Sequence, residues 1–100
     1  MSRDYVIVCN EHKGIFTGAL LFWGHKTADE ENRSFGGYTS NIDECEMYTL
    51  EEIKQNKFKF PIYDNSMKIQ EFEALPDVAI KKQDLFNMEC YRHMHAVFRP

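Results

Sequence analysis

A chain of 100 residues with a formal net charge of −4 holds a single domain, and its acidity excludes a non-specific phosphate binder, which needs excess lysine and arginine. Hydrophobic residues at 43% and aromatics at 14% exclude a disordered chain and supply a modest core without staples. An odd number of cysteines and an amino terminus without a basic, apolar leader predict reduced thiols in the cytoplasm, and no apolar run approaches the ~18 residues of a membrane span.

Tyr5, Val6, Ile7, Val8 and Cys9 form an unbroken, largely β-branched run, which predicts a strand buried on both faces. Residues 10–14 are polar and close on Gly14, a turn signal. Residues 19–23, bounded by Gly18 and Gly24, predict a second strand antiparallel to the first and carry the only tryptophan, Trp23. Residues 25–36 are polar, with Asp29, Glu30 and Glu31 adjacent. A solvated loop is the plain reading, yet connections of ~12 residues are uncommon in compact domains and often functional. Phe35, at the end of this run, is either exposed or tucked into the core. Gly36 and Gly37 then turn the chain into a short strand at Tyr38 and Thr39, and Asn41, Ile42, Asp43 and Glu44 form another turn.

The sharpest local signal is Thr49 followed by Glu52. This is a capping box, in which the hydroxyl accepts from the amide of residue 52 and the carboxylate reaches back to the amide of residue 49. Tyr48 and Ile53 occupy the positions of a hydrophobic staple, and a threonine cap contributes about 1 kcal/mol, enough to fix the start of a helix over 50–56. Phe58, Phe60 and Ile62 alternate and predict a strand over 58–63, which Pro61 places at a sheet edge. Asp64, Asn65 and Ser66 form a turn that would cap a helix over 67–75, where Ile69, Phe72 and Leu75 recur at helical spacing before Pro76. Residues 77–82 predict the next strand. Over 84–100 the pattern divides: a strand gathers Tyr91, His93, His95 and Val97 on one face, whereas a helix capped by Asp84 spreads its apolar residues around its circumference. The strand, over 91–98, is the reading adopted. Together these elements predict a small α+β domain: an antiparallel sheet of four or five strands with one or two short helices on one face.

Leu21, Phe22, Trp23 and Gly24, then Gly37, Tyr38 and Thr39, then Tyr48, Thr49 and Glu52 resemble a pattern found in small uncharacterised phage and prophage proteins. In that pattern a lead strand ends near an asparagine and is followed by Phe-Trp-Gly, a short polar link, Gly-Tyr-Thr, and Tyr-Ser/Thr-x-Glu-Glu opening a helix. The resemblance covers residues 5–53, with a strand near Val78 extending it. It implies an origin in a phage or mobile element and an accessory role, such as modulating a host or defence protein. The chain departs from the pattern in its link, which here runs over residues 25–36. An extended loop is where a shared scaffold acquires its own partner.

Cys9 with His12, and Cys90 with His93 and His95, have the chemistry of zinc ligands, which meet the metal in a tetrahedron of four. The two half-sites lie at opposite ends of the chain, and Cys9 is more simply a small residue buried at the end of a strand, so no metal is expected. Neither a nucleophile elbow nor a phosphate loop frames the Ser, Cys, His or Gly residues, so no enzyme and no cofactor are expected. Trp23, Phe35 and Tyr38 have the chemistry of a base-stacking platform, but core packing is the expected fate of Trp23 and Tyr38 in an acidic chain. Asp29, Glu30, Glu31, Asp43, Glu44 and Glu46 flank the glycine pair and would form one negative patch, either plain solvated surface or a face for a basic, nucleic-acid-handling protein. The expected function is that of a non-enzymatic phage-type accessory protein which binds and inhibits a host protein in the bacterial cytoplasm, such as a defence component. No direct nucleic-acid or membrane contact is expected. The expected partner-binding residues are Asp29, Glu30, Glu31, Arg33 and Phe35, on a run over 25–37 that contributes little to stability. The alternatives are a small-ligand or zinc-binding module and a structural homo-oligomer using Phe35 and the edge near Pro61.

Overall fold

In the computed structural model, which describes residues 3–10, 21–24 and 33–88, strand β1 (Tyr5–Cys9) is flanked by two antiparallel partners, β2 (Leu21–Trp23) and β4 (Asp77–Lys81). The short β3 (Tyr38–Thr39) pairs outside β2, so the sheet runs β3-β2-β1-β4. The register aligns Val8 with both Phe22 and Val78, and Ile7 with Ala79. Because side chains alternate, Val6, Val8, Phe22, Val78 and Ile80 share one face, while Ile7, Trp23 and Ala79 share the other.

Both faces are covered. On the first, the β residues pack with Ile42, Cys45, Phe72, Leu85 and Met88; on the second, Ile7 and Ala79 pack with Tyr48, Ile53 and Phe60. Two-sided burial is why residues 5–9 carry no alternating polar position. It also decides where the helices go. Helix α1 (Leu50–Gln55) brings Ile53 to the second face, whereas α2 (Ile69–Ala74) and α3 (Lys82–Asn87) bring Phe72 and Leu85 to the first. The α+β class and the four-stranded antiparallel sheet of the described residues are as the sequence predicts; among those residues the α-helices are three and divide between the faces, because a sheet apolar on both sides needs a cover on each. None of the described helices is long and apolar enough to cross a membrane.

The edges are finished by irregular chain. Strand β2 pairs with β1 only at Val8 and Cys9, and Tyr48 takes the vacant end, its amide donating to the Tyr5 carbonyl (2.8 Å) and its carbonyl accepting from the Tyr5 amide (3.0 Å). On the outer edge of β4 the Ala79 amide donates to the Pro61 carbonyl and the Tyr63 amide to the Ala79 carbonyl, both at 2.8 Å. Pro61 acts only as an acceptor, so its missing amide costs nothing there. The strand expected over 58–63 is therefore reduced to a single parallel bridge at Ile62.

Helix α1 begins at Leu50 and carries both halves of the expected capping box. Helix α2 starts at Ile69, later than expected, with Lys68 as an N-cap that makes no side-chain bond. Asp64 is engaged instead in its own turn, accepting from the Ser66 amide (2.8 Å) through its side chain and from the Met67 amide (3.0 Å) through its carbonyl. The far end of α2 is capped from the end of β1: the Asn10 amide group donates to the carbonyls of Phe72 (2.9 Å), which also accepts from the Leu75 amide (3.3 Å), and of Leu75 (3.0 Å). Helix α3 follows β4 directly and overlaps the start of the helix set aside over 84–100, but Lys81 stands at its N-cap and Asp84 lies inside its first turn. The strand expected over 91–98 lies outside the described residues.

Candidate functional site

Glu52 does more than close the capping box of α1. One oxygen accepts from the Thr49 amide (2.7 Å), and the carboxylate accepts from Arg3 through Nε (3.2 Å) and Nη2 (3.0 Å). Burial works against its charge, but the hydrogen bonds from Arg3 and Thr49, with the charges of Arg3 and Arg33, outweigh it and hold the carboxyl below its usual range. Arg3 thereby ties the entry to β1 to the first turn of α1.

The neighbouring node is built on Glu46, which is 1% exposed. Its carboxylate accepts from the amides of Ser34 (3.0 Å) and Phe35 (2.9 Å) and from the Tyr48 hydroxyl (3.1 Å). Its own amide donates to the Gly24 carbonyl at 2.9 Å, and the Gly24 amide donates to the Gly37 carbonyl at 2.8 Å. Gly24 has φ +83, and a Cβ there would lie 2.5 Å from the Tyr48 hydroxyl oxygen and 2.6 Å from Glu46 Oε1, so glycine is required twice over. Burial, then the charge and hydrogen bond of Glu46, push the Tyr48 phenol far above its ordinary range. Glu46 was expected in a surface acidic patch; it is instead a buried acceptor, because backbone amides and a phenol replace its water.

This node sets the segment 33–37 in place. Phe35 holds a left-handed backbone (φ 52) and stacks on Tyr48 at 4.4 Å between centroids, with 15° between planes. Phe35 is accordingly half-buried and packs on the second core, so residues 33–37 of the expected dispensable run are part of the fold. Trp23 is half-buried as well. It meets Tyr38 (5.2 Å), Phe60 (5.3 Å) and Phe58 (5.7 Å), and its Nε1 donates to Asp77 across the sheet at 2.7 Å. Tyr38, expected in the core, is 41% exposed because it sits on the two-residue edge strand β3.

Phe58 is 53% exposed. The Asn56 side chain accepts from the Phe58 amide (2.8 Å), the Asn56 carbonyl accepts from the Lys59 amide (3.1 Å), and Lys59 adopts φ 52, so a closed turn holds the ring outward. The Lys57 ammonium lies 5.4 Å from the centroid of that ring. Between this turn and the segment 33–35 is an open groove of about 600 Å³, bordered by Arg33, Phe35, Glu52, Asn56, Lys57 and Phe58. Of the residues expected to bind a partner, Arg33 and Phe35 thus line one wall, and Asp29, Glu30 and Glu31 lie outside the described residues. Phe58 and Lys57 were missed because the aromatic alternation of 58–62 reads as a strand; the one signal of a turn is Asn56 two residues ahead.

Asp43 and Glu44 are exposed, with Asp43 3.6 Å from the Lys82 ammonium. Cys9 and Cys45 are buried, and burial pushes the Cys45 thiol up to about 11, which favours the protonated thiol at neutral pH. Among the described residues no group of three His, Cys, Asp or Glu side chains is placed to hold a metal. His12, Cys90, His93 and His95 lie outside them. Compared with protein-family models, curated proteins and solved structures, the chain matches none.

Proposed function

We propose that the chain is a non-enzymatic accessory protein that binds another protein at the groove between Arg33 and Phe58 and inhibits it. The observation that carries this reading is the exposure of Phe58. A large ring is held in solvent by a hydrogen-bonded turn and is continuous with half-buried Trp23 and exposed Tyr38. Aromatic and arginine side chains dominate interface energetics, and the groove offers both. A host protein as the target, a defence component in particular, and action in the host cytoplasm rest on the resemblance of Leu21 to Gly24, Gly37 to Thr39 and Tyr48 to Glu52 to phage accessory proteins.

The test is capture from bacterial lysate with the wild-type chain and with Phe58→Ala, followed by assay of the captured protein's activity. Phe58→Ala is expected to keep the melting temperature and weaken capture by about tenfold or more. The wild-type chain is expected to suppress the captured protein's activity. Equal capture by the two chains, or a captured protein whose activity is unchanged, would remove this reading.

A further inference from the structure

We infer that the groove receives an acidic segment of its partner, with Asp or Glu beside an apolar anchor, an inference that rests on the protein-binding reading above. The chain as a whole is acidic, at −4, but the described charged residues that border this groove are not predominantly so. Lys57 borders the groove beside Phe58, Arg33 lines the facing wall, and Lys54 and Lys59, also exposed, neighbour Lys57 in sequence. Among the described charged residues that border the groove, Arg33 and Lys57 face one carboxylate, Glu52, whose charge is already met by Arg3 at 3.0 Å. Charge complementarity at this groove therefore favours an anionic partner segment.

The geometry sets the spacing of that segment. The Lys57 ammonium lies 5.4 Å from the Phe58 centroid, and Trp23 lies 5.7 Å from Phe58 on the sheet side. A carboxylate beside Lys57 and an apolar side chain over Phe58 and Trp23 then belong to the same residue or to near neighbours in the partner. A single nucleic-acid strand, which also combines negative charge with flat apolar surface, fits less well. It needs cations that follow its backbone across several phosphates, whereas among the described residues two, Arg33 and Lys57, border the groove.

The experiment is selection of random displayed peptides on the wild-type chain and on two variants at exposed positions, Phe58→Ala and Lys57→Glu. Selected peptides are expected to carry Asp or Glu next to an apolar residue and to lose their enrichment on both variants. A synthetic peptide of a selected sequence is expected to shift the emission of Trp23, the only tryptophan, with binding at least about tenfold weaker on Lys57→Glu and weaker still as salt rises. Basic or uncharged selections, no selection at all, enrichment indifferent to both substitutions, or a single-stranded oligonucleotide that shifts Trp23 at lower concentration than any peptide would overturn the inference. Phe58-dependent capture of a protein without acidic selections defeats this inference and leaves the protein-binding reading standing. Loss of Phe58-dependent capture defeats both.

Discussion

Gly24 and Glu46 show how a single position can hold a surface in place. Gly24→Ala would place a methyl group against the Tyr48 hydroxyl and the Glu46 carboxylate in a left-handed conformation. We expect it to cost about 2–4 kcal/mol, from backbone strain and overpacking together, measured by chemical denaturation. Glu46→Ala takes the acceptor from the amides of Ser34 and Phe35 and leaves the Tyr48 hydroxyl only the Trp23 carbonyl at 3.4 Å. The expected loss is about 2–4 kcal/mol by the same measurement, with Glu46→Gln in between because it keeps an acceptor oxygen. Glu52 makes stability depend on pH with a definite sign. Its folded carboxyl titrates below the ordinary value of 4.5, so the unfolded chain binds the proton more readily. Its contribution is therefore full above about pH 4.5 and is lost as pH falls through the lower folded value. Comparing wild type with Glu52→Gln across pH 7 to pH 3, as approximate limits, should show the gap between them closing at the acid end.

At the level of elements, local chemistry was legible and long-range chemistry was not. The capping box of α1 involves residues three apart and could be read directly; Thr49→Ala should cost about 1 kcal/mol in a denaturation experiment. Strands β1 and β4 were legible because burial on both faces leaves continuous apolar runs. The turn after α1 was obscured because Phe58, Phe60 and Ile62 alternate as a strand does, while the decisive bond is from the Phe58 amide to Asn56. Helix α3 was obscured for a different reason. It begins at once after β4 with Lys81 as an N-cap that makes no side-chain bond, so no start signal precedes it. Asn10 looked like a turn residue, and its capping of α2 depends on partners more than sixty positions away. The candidate site was half legible: Arg33 and Phe35 border the groove, but Phe58 and the burial of Glu46 depend on contacts that sequence spacing does not encode.

On the scale of the whole molecule, the sheet separates two tasks. Its first face carries Phe72 and Leu85 from α2 and α3, and its second carries an aromatic cluster that begins at buried Tyr48 and ends in solvent at Phe58 and Tyr38. Packing thus extends from β1 to the rim of the groove through Tyr48, Phe35 and Phe60. A second depression, bordered by Tyr63, Ile69 and Met88 on the other side of the sheet, provides an internal comparison. The central claim is that the partner sits on the Arg33–Phe58 groove, and amide hydrogen exchange of the chain with and without its captured partner tests it most directly. Protection is predicted over residues 33–37 and 55–59, with the amides around Tyr63, Ile69 and Met88 unchanged. Protection confined to Tyr63, Ile69 and Met88, with the groove exchanging as in the free chain, would contradict it.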